Sequence, residues 1–185
     1  MVSRSEIVDV IRHADLAKLD RCKRSVPGFP DGCCEGPMDR QWAEVFASAG
    51  SLAAVRWLIE NLKDGLPGYR PRQGTSDYPL VYAAVERTDP EKHDVLQTLI
   101  DAGADIHARG LNDYTPAHLA AVYGDLRSLE ILRDAGADFR LRTRIDHELT
   151  PLEEALDMVG ENSATRALQD WLVAEGDESN GMEES

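Results

Sequence analysis

No apolar run in this chain approaches the roughly 20 residues that a membrane-spanning helix needs. The first residues, Met1 to Val10, lack the basic start, apolar stretch and small-residue cleavage site of a secretory signal. A cytoplasmic protein is the expectation. Cysteine is scarce: Cys22, Cys33 and Cys34 make an odd, sparse set that is no disulfide framework in a chain of 185 residues. Positive charge is also in short supply, with Lys+Arg 20 against Asp+Glu 34 and a formal net charge of -14. Such a field repels phosphate backbones and anionic lipid heads, so nucleic acid and membrane are poor partners, and a basic protein surface is what it would steer.

The chemical motifs of several enzyme classes are missing as well. There is no G-x-x-x-x-G-K-[ST] phosphate loop and no G-x-S-x-G elbow. His147-Glu148 and His107 belong to no H-E-x-x-H pair, and Glu153-Glu154 and Glu183-Glu184 have no partner set that would split their pKa values into an acid and a base. No catalytic residue is assigned, and no cofactor is expected. The one tempting ligand set is Cys33-Cys34 near Cys22 and His13. Adjacent cysteines fit two corners of one tetrahedral zinc site badly, no C-x-x-C pair exists, and Cys22 suits the buried end of a helix. No metal site is assigned, although a metal- or thiol-responsive regulator using Cys22, Cys33 and Cys34 stands as the alternative function.

What is present is a fold-competent composition, 42% hydrophobic and 29% charged, in a length that suits one core or one short repeat array. The repeat is plain. Leu99-Ile100-Asp101-Ala102-Gly103-Ala104-Asp105 returns as Leu132-Arg133-Asp134-Ala135-Gly136-Ala137-Asp138, 33 residues later. A second phrase, Thr115-Pro116-Ala117-His118-Leu119-Ala120-Ala121 with Gly124, is flanked by Tyr78-Pro79-Leu80-Val81-Tyr82-Ala83-Ala84 and Thr150-Pro151-Leu152-Glu153-Glu154-Ala155. Thr115 can cap a helix whose first turn accepts Pro116 without losing a hydrogen bond. Leu126, Leu129, Ile131 and Leu132 then fall at helical spacing as an apolar stripe, and Gly136 ends that helix in the backbone region glycine tolerates best.

These phrases resemble the ankyrin signature T-P-L-H-x-A and its 33-residue period. The resemblance implies an all-α ankyrin-repeat solenoid of about five helix-turn-helix units joined by hairpin arms, of the small bacterial type. It implies one domain over residues 1–175, with units at about 3–35, 36–73, 74–110, 111–144 and 145–175, followed by an acidic disordered tail at 176–185. The second unit keeps the helical spacing of Trp42, Val45 and Phe46 but not the signature. The first, opened by a Ser3-to-Glu6 capping box, reads as a capping repeat. His118 stands where the family uses its histidine to bond across the turn between repeats.

Three stretches depart from the pattern. Ala84 to Leu99 spans four residues more than Ala121 to Leu132, so Glu86 to Lys92 must bulge. The bulge reads as a tolerated surface insertion, with a contact loop as the alternative, and Asp89-Pro90-Glu91 reads as the restart of a helix. Two long connectors, 23–36 and 64–77, are rich in glycine and proline where arms should be.

The resemblance also implies a non-catalytic, monomeric module that binds another protein through its concave face. Register places Arg40, Asp77, Glu86, Arg109, Asn112, Tyr114, Tyr123, Glu148 and Asp157 along that face, together with Arg72 and Asp146. Tyr114 and Tyr123 are the sharpest, since tyrosine is enriched at binding hot spots, with packing on the adjacent repeat as the alternative for each. Toxin-neutralising (immunity) protein, adaptor and secreted effector are the competing versions of the role.

Overall fold

A computed structural model describes residues 4–25, 49–62, 79–145 and 148–180. Among them the chain is all-helical, with nine α-helices and one short 3-10 turn. They are α1 (Arg4–Arg12), α2 (Leu16–Ser25), α3 (Leu52–Asn61), α4 (Leu80–Val85), α5 (Lys92–Asp101), α6 (Pro116–Val122), α7 (Leu126–Asp134), α8 (Pro151–Met158) and α9 (Ser163–Asn180). Lys23 to Ser25, expected in the first connector, are the last turn of α2; the rest of the connectors, Arg40, Asp77, Arg72, Asp146 and the first helix expected for the second unit lie outside the described residues.

The helix starts follow from the signature residues. Thr115 accepts from the His118 N–H and Thr150 from the Glu153 N–H, and in each case the side chain of that third helical residue accepts the cap's own N–H, closing a box around Pro116 and Pro151 in the first turn. The ends repeat too. Gly103 at φ 88° and Gly136 at φ 85° allow Ala104 N–H to reach the Leu99 carbonyl at 3.0 Å and Ala137 N–H to reach the Leu132 carbonyl at 2.9 Å. The 33-residue recurrence is thus a recurrence of helix ends.

Helices pair in sequence and pack in two rows. α4 lies against α5, α6 against α7 and α8 against α9, while α4, α6 and α8 follow one another in contact. α2, α3, α5, α7 and α9 form the second row in the same way. Ala83, Ala84, Ala117, Ala120 and Ala121 are buried in the first row, small enough to let the helices approach. Leu58, Leu96, Leu99, Leu129, Leu132 and Leu168 fill the space between rows. Each fully buried leucine contributes about 1.5–3 kcal/mol. Buried Phe139 tilts against Trp171 at 5.8 Å, with the Arg133 guanidinium 4.7 Å from the same indole.

Two expectations need correction. α5 begins at Lys92, not Pro90: Asp89 caps the Glu91 N–H at 3.0 Å and the residues between form a turn. α9 runs to Asn180, so residues 176–180 continue a helix where a disordered tail was expected. One glycine costs a helix about 1 kcal/mol, which Gly176 alone does not make a stop.

The insertion also does more than lengthen a surface turn. Arg87 is buried, donates to the Ala49 carbonyl at 3.1 Å and lies 2.8 Å from Asp89 Oδ2. Glu91 accepts the Leu52 N–H at 2.8 Å, capping α3. Lys92 Nζ and His93 Nε2 reach Asp125 Oδ2 and Oδ1 at 2.6 and 3.1 Å, at the start of α7. The segment from Arg87 to His93, which carries the four extra residues, therefore ties three successive second-row helices.

Candidate binding surface

His118 organises the turn below the surface. Its Nδ1 accepts from the Thr115 hydroxyl at 2.8 Å and its Nε2–H donates to the Leu149 carbonyl at 3.0 Å in the next segment. Those partners select the neutral Nε2–H tautomer. Burial, the largest influence, holds its pKa below the usual histidine value against the opposing pull of the Leu149 carbonyl.

Between α5 and α6, and again between α7 and α8, the chain makes a projecting tip. One is closed by Gly110 N–H to the Tyr114 carbonyl at 2.9 Å, the other by Thr143 N–H to the Leu149 carbonyl at 3.0 Å. Asn112, Asp113 and Glu148 sit at φ 56°, 60° and 51°, a left-handed backbone that non-glycine residues hold only when neighbours fix it. Asp113 is that fixing group. It takes Arg109 Nη1 at 2.8 Å within its own tip, and the Arg144 N–H at 2.7 Å and Nη2 at 2.6 Å from the next. Partial burial raises the Asp113 pKa, but Arg144 and Arg109 pull it below the ordinary carboxylate range. Arg142 braces the second tip, donating to the Glu148 carbonyl at 2.8 Å and to Glu153 at 2.9 Å.

Tyr114 leaves the first tip and packs on the following unit. Its ring stacks on His118 at 5.5 Å, 11° from parallel, and its hydroxyl donates to Glu154 at 2.5 Å and lies 3.6 Å from Met158 Sδ. Tyr123 differs. At the end of α6 it is 55% exposed, beside Glu86 at the end of α4, whose charge adds to partial burial in raising the phenol pKa.

The expected contact residues thus separate into two edges. Arg109, Asn112, Tyr114 and Glu148 belong to the tips; Glu86 and Tyr123, with exposed Asp157, belong to the far ends of the first-row helices. Sequence reasoning passed over Asp113 and Arg144, which hold the tips in register, and over exposed Leu111 and Ile145 at the tips and Met158 and Val159 at the end of α8. The alternation Arg140-Leu141-Arg142-Thr143-Arg144 was the available signal for the brace. Cys22 is buried in α2, while Cys33 and Cys34 lie outside the described residues. Among the described residues no three His, Cys, Asp or Glu side chains stand close enough to hold a metal ion, and no helix is long and apolar enough to cross a membrane.

Helices that pair in sequence and pack in two rows, with braced turns between them, make the described residues an all-helical fold. Residues 80–133 match the family model of ankyrin repeats, which occur in many copies, and that segment of the chain is an ankyrin-repeat segment. No curated protein matches it. Ankyrin repeats are protein-protein interaction modules.

Proposed function

We propose that the chain is a short ankyrin solenoid of five units that binds a single partner protein through its concave face and performs no chemistry of its own. Toxin neutralisation and adaptor function are the roles that suit a small acidic module of this kind, with an effector acting on a host protein as the remaining version. The reading draws its support from one observation. Among the described residues, most of the large apolar side chains left exposed, namely Leu111, Tyr123, Ile145, Met158 and Val159, stand at braced tips and helix ends and not across the packed rows. Side chains held ready on a rigid frame lose little entropy when a partner covers them. Arg109, Asn112 and Glu148 supply polar groups beside the tip residues, and Glu86 and Asp157 do so beside the helix-end residues.

The test is affinity capture from the source lysate, comparing the natural chain with a Leu111→Ser, Tyr123→Ser variant of unchanged helical content. One partner bound in stoichiometric amount and released by the variant supports the reading. Capture indifferent to both substitutions, or no partner at all, would sink it. The captured protein's activity separates neutralisation from adaptor function.

A further inference from the structure

α4, α6 and α8 lie side by side, and Glu86, Tyr123 and Val159 are the residues that close their C-terminal ends. The turns beyond them meet. Gly124 presents its α-carbon to the Asn162 side chain, so that a Cβ there would stand 3.8 Å from the amide nitrogen. Tyr123, Met158 and Val159 are 55%, 58% and 50% exposed, an aromatic, a thioether and a branched aliphatic on neighbouring helix ends. Scattered single apolar residues need no explanation, but a run of them along one edge marks a contact site.

Exposed carboxylates stand around this edge. Asp157 is exposed one residue before Met158 and, among the described residues, has no ion pair. Glu161 follows two residues after Val159, and its link to Arg166 is a loose 3.9 Å between two exposed side chains. The arginines Arg109, Arg142 and Arg144 are all at the tips, engaged with Asp113 and Glu153. The helix-end edge is therefore apolar and acidic, where the tip edge is apolar and internally neutralised.

We infer that the edge formed by Tyr123, Met158 and Val159 docks a basic amphipathic segment of the partner protein, a stretch in which arginine or lysine alternates with a large aliphatic residue. This rests on the protein-binding reading above and names the partner chemistry for one part of that surface. The aliphatic residue covers Met158 and Val159. The neighbouring cation lays its stem on the Tyr123 ring, where the π-face attracts it, and sets its charge toward Asp157 and Glu161. An acidic segment is rejected by the same carboxylates.

The probe is a fluorescent 15-residue peptide alternating arginine with leucine, set against the same peptide with glutamate at each arginine, titrated into the full chain at physiological salt. The arginine peptide is expected to bind, the glutamate peptide not to, and Tyr123→Ser or Asp157→Asn to weaken binding about fivefold or more. Amide shifts in the unsubstituted chain give a second reading that requires no variant, with perturbations expected around residues 121–124 and 157–162. Equal binding to the natural and Tyr123→Ser chains, shifts centred on the tips, or binding of the glutamate peptide each overturn the docking edge. Failure of the arginine peptide to bind also overturns it, while the protein-binding reading survives if the same chain still captures a stoichiometric partner.

Discussion

At the scale of single residues, His118 shows how a signature position carries energy. A buried imidazole that must stay neutral to accept from Thr115 resists protonation, so its folded-state pKa lies below that of the unfolded chain. Its contribution to stability is complete above the unfolded value near about 6.5 and is lost as pH falls from there toward the folded value. The melting temperature of the natural chain should therefore drop between pH 7.5 and pH 5.5 by more than that of His118→Gln, whatever the offset between them. Parallel curves would mean that other groups carry the pH dependence. Gly50 makes a different point. A Cβ there would lie 1.8 Å from the Arg12 carbonyl oxygen, while the Gly50 N–H donates to the Ile11 carbonyl at 3.2 Å. Backbone against backbone has no flexible end to move, so Gly50→Ala should cost about 1–3 kcal/mol in urea unfolding by prising α1 from the second unit. The first role was legible because the phrase around His118 keeps the signature's threonine, proline, histidine and alanine. The second was not, because closeness between residues so far apart in sequence leaves no local periodic trace.

At the scale of elements, caps and helix ends were readable where the residues that satisfy them are local: Thr115 with Pro116, Thr150 with Pro151, Gly136 after an apolar stripe. The insertion was not readable in the same way, since its partners come from other units. Arg87 is the case to test. Its guanidinium satisfies the Ala49 carbonyl in a buried site, and methionine would fill the space of its stem while leaving that carbonyl without this donor. Arg87→Met is expected to destabilise the chain by about 1–3 kcal/mol, seen as a lower urea midpoint with an unchanged slope. A variant as stable as the natural chain would return the insertion to the status of a tolerated surface insertion. Tyr114 teaches the complementary lesson. Its type and position suggested a contact residue, yet stacking on His118 and donating to Glu154 ties it to the next unit, whereas Tyr123, one helix later, keeps its ring in solvent. Helical register tells which face a residue shares, but the reach of a long side chain across a unit boundary decides whether it is occupied.

At the scale of the whole molecule, a formal charge of -14 acts at a distance that no single contact does. For the basic partner segment inferred here, the long-range field should set how often encounters succeed, and the apolar contacts at Tyr123, Met158 and Val159 should set how long they last. The two effects are separable. Raising ionic strength from about 0.05 to 0.5 M shortens the screening length from roughly 14 to 4 Å, so the association rate constant for the arginine peptide should fall by about an order of magnitude or more. Dissociation should change far less. Tyr123→Ser should do the opposite, leaving association nearly constant and speeding dissociation by most of its loss in affinity. Stopped-flow traces over a salt series resolve both constants. If salt instead slows nothing while the tyrosine substitution alters association, charge is not what brings the segment to this edge, and the acidity of the chain serves solubility alone.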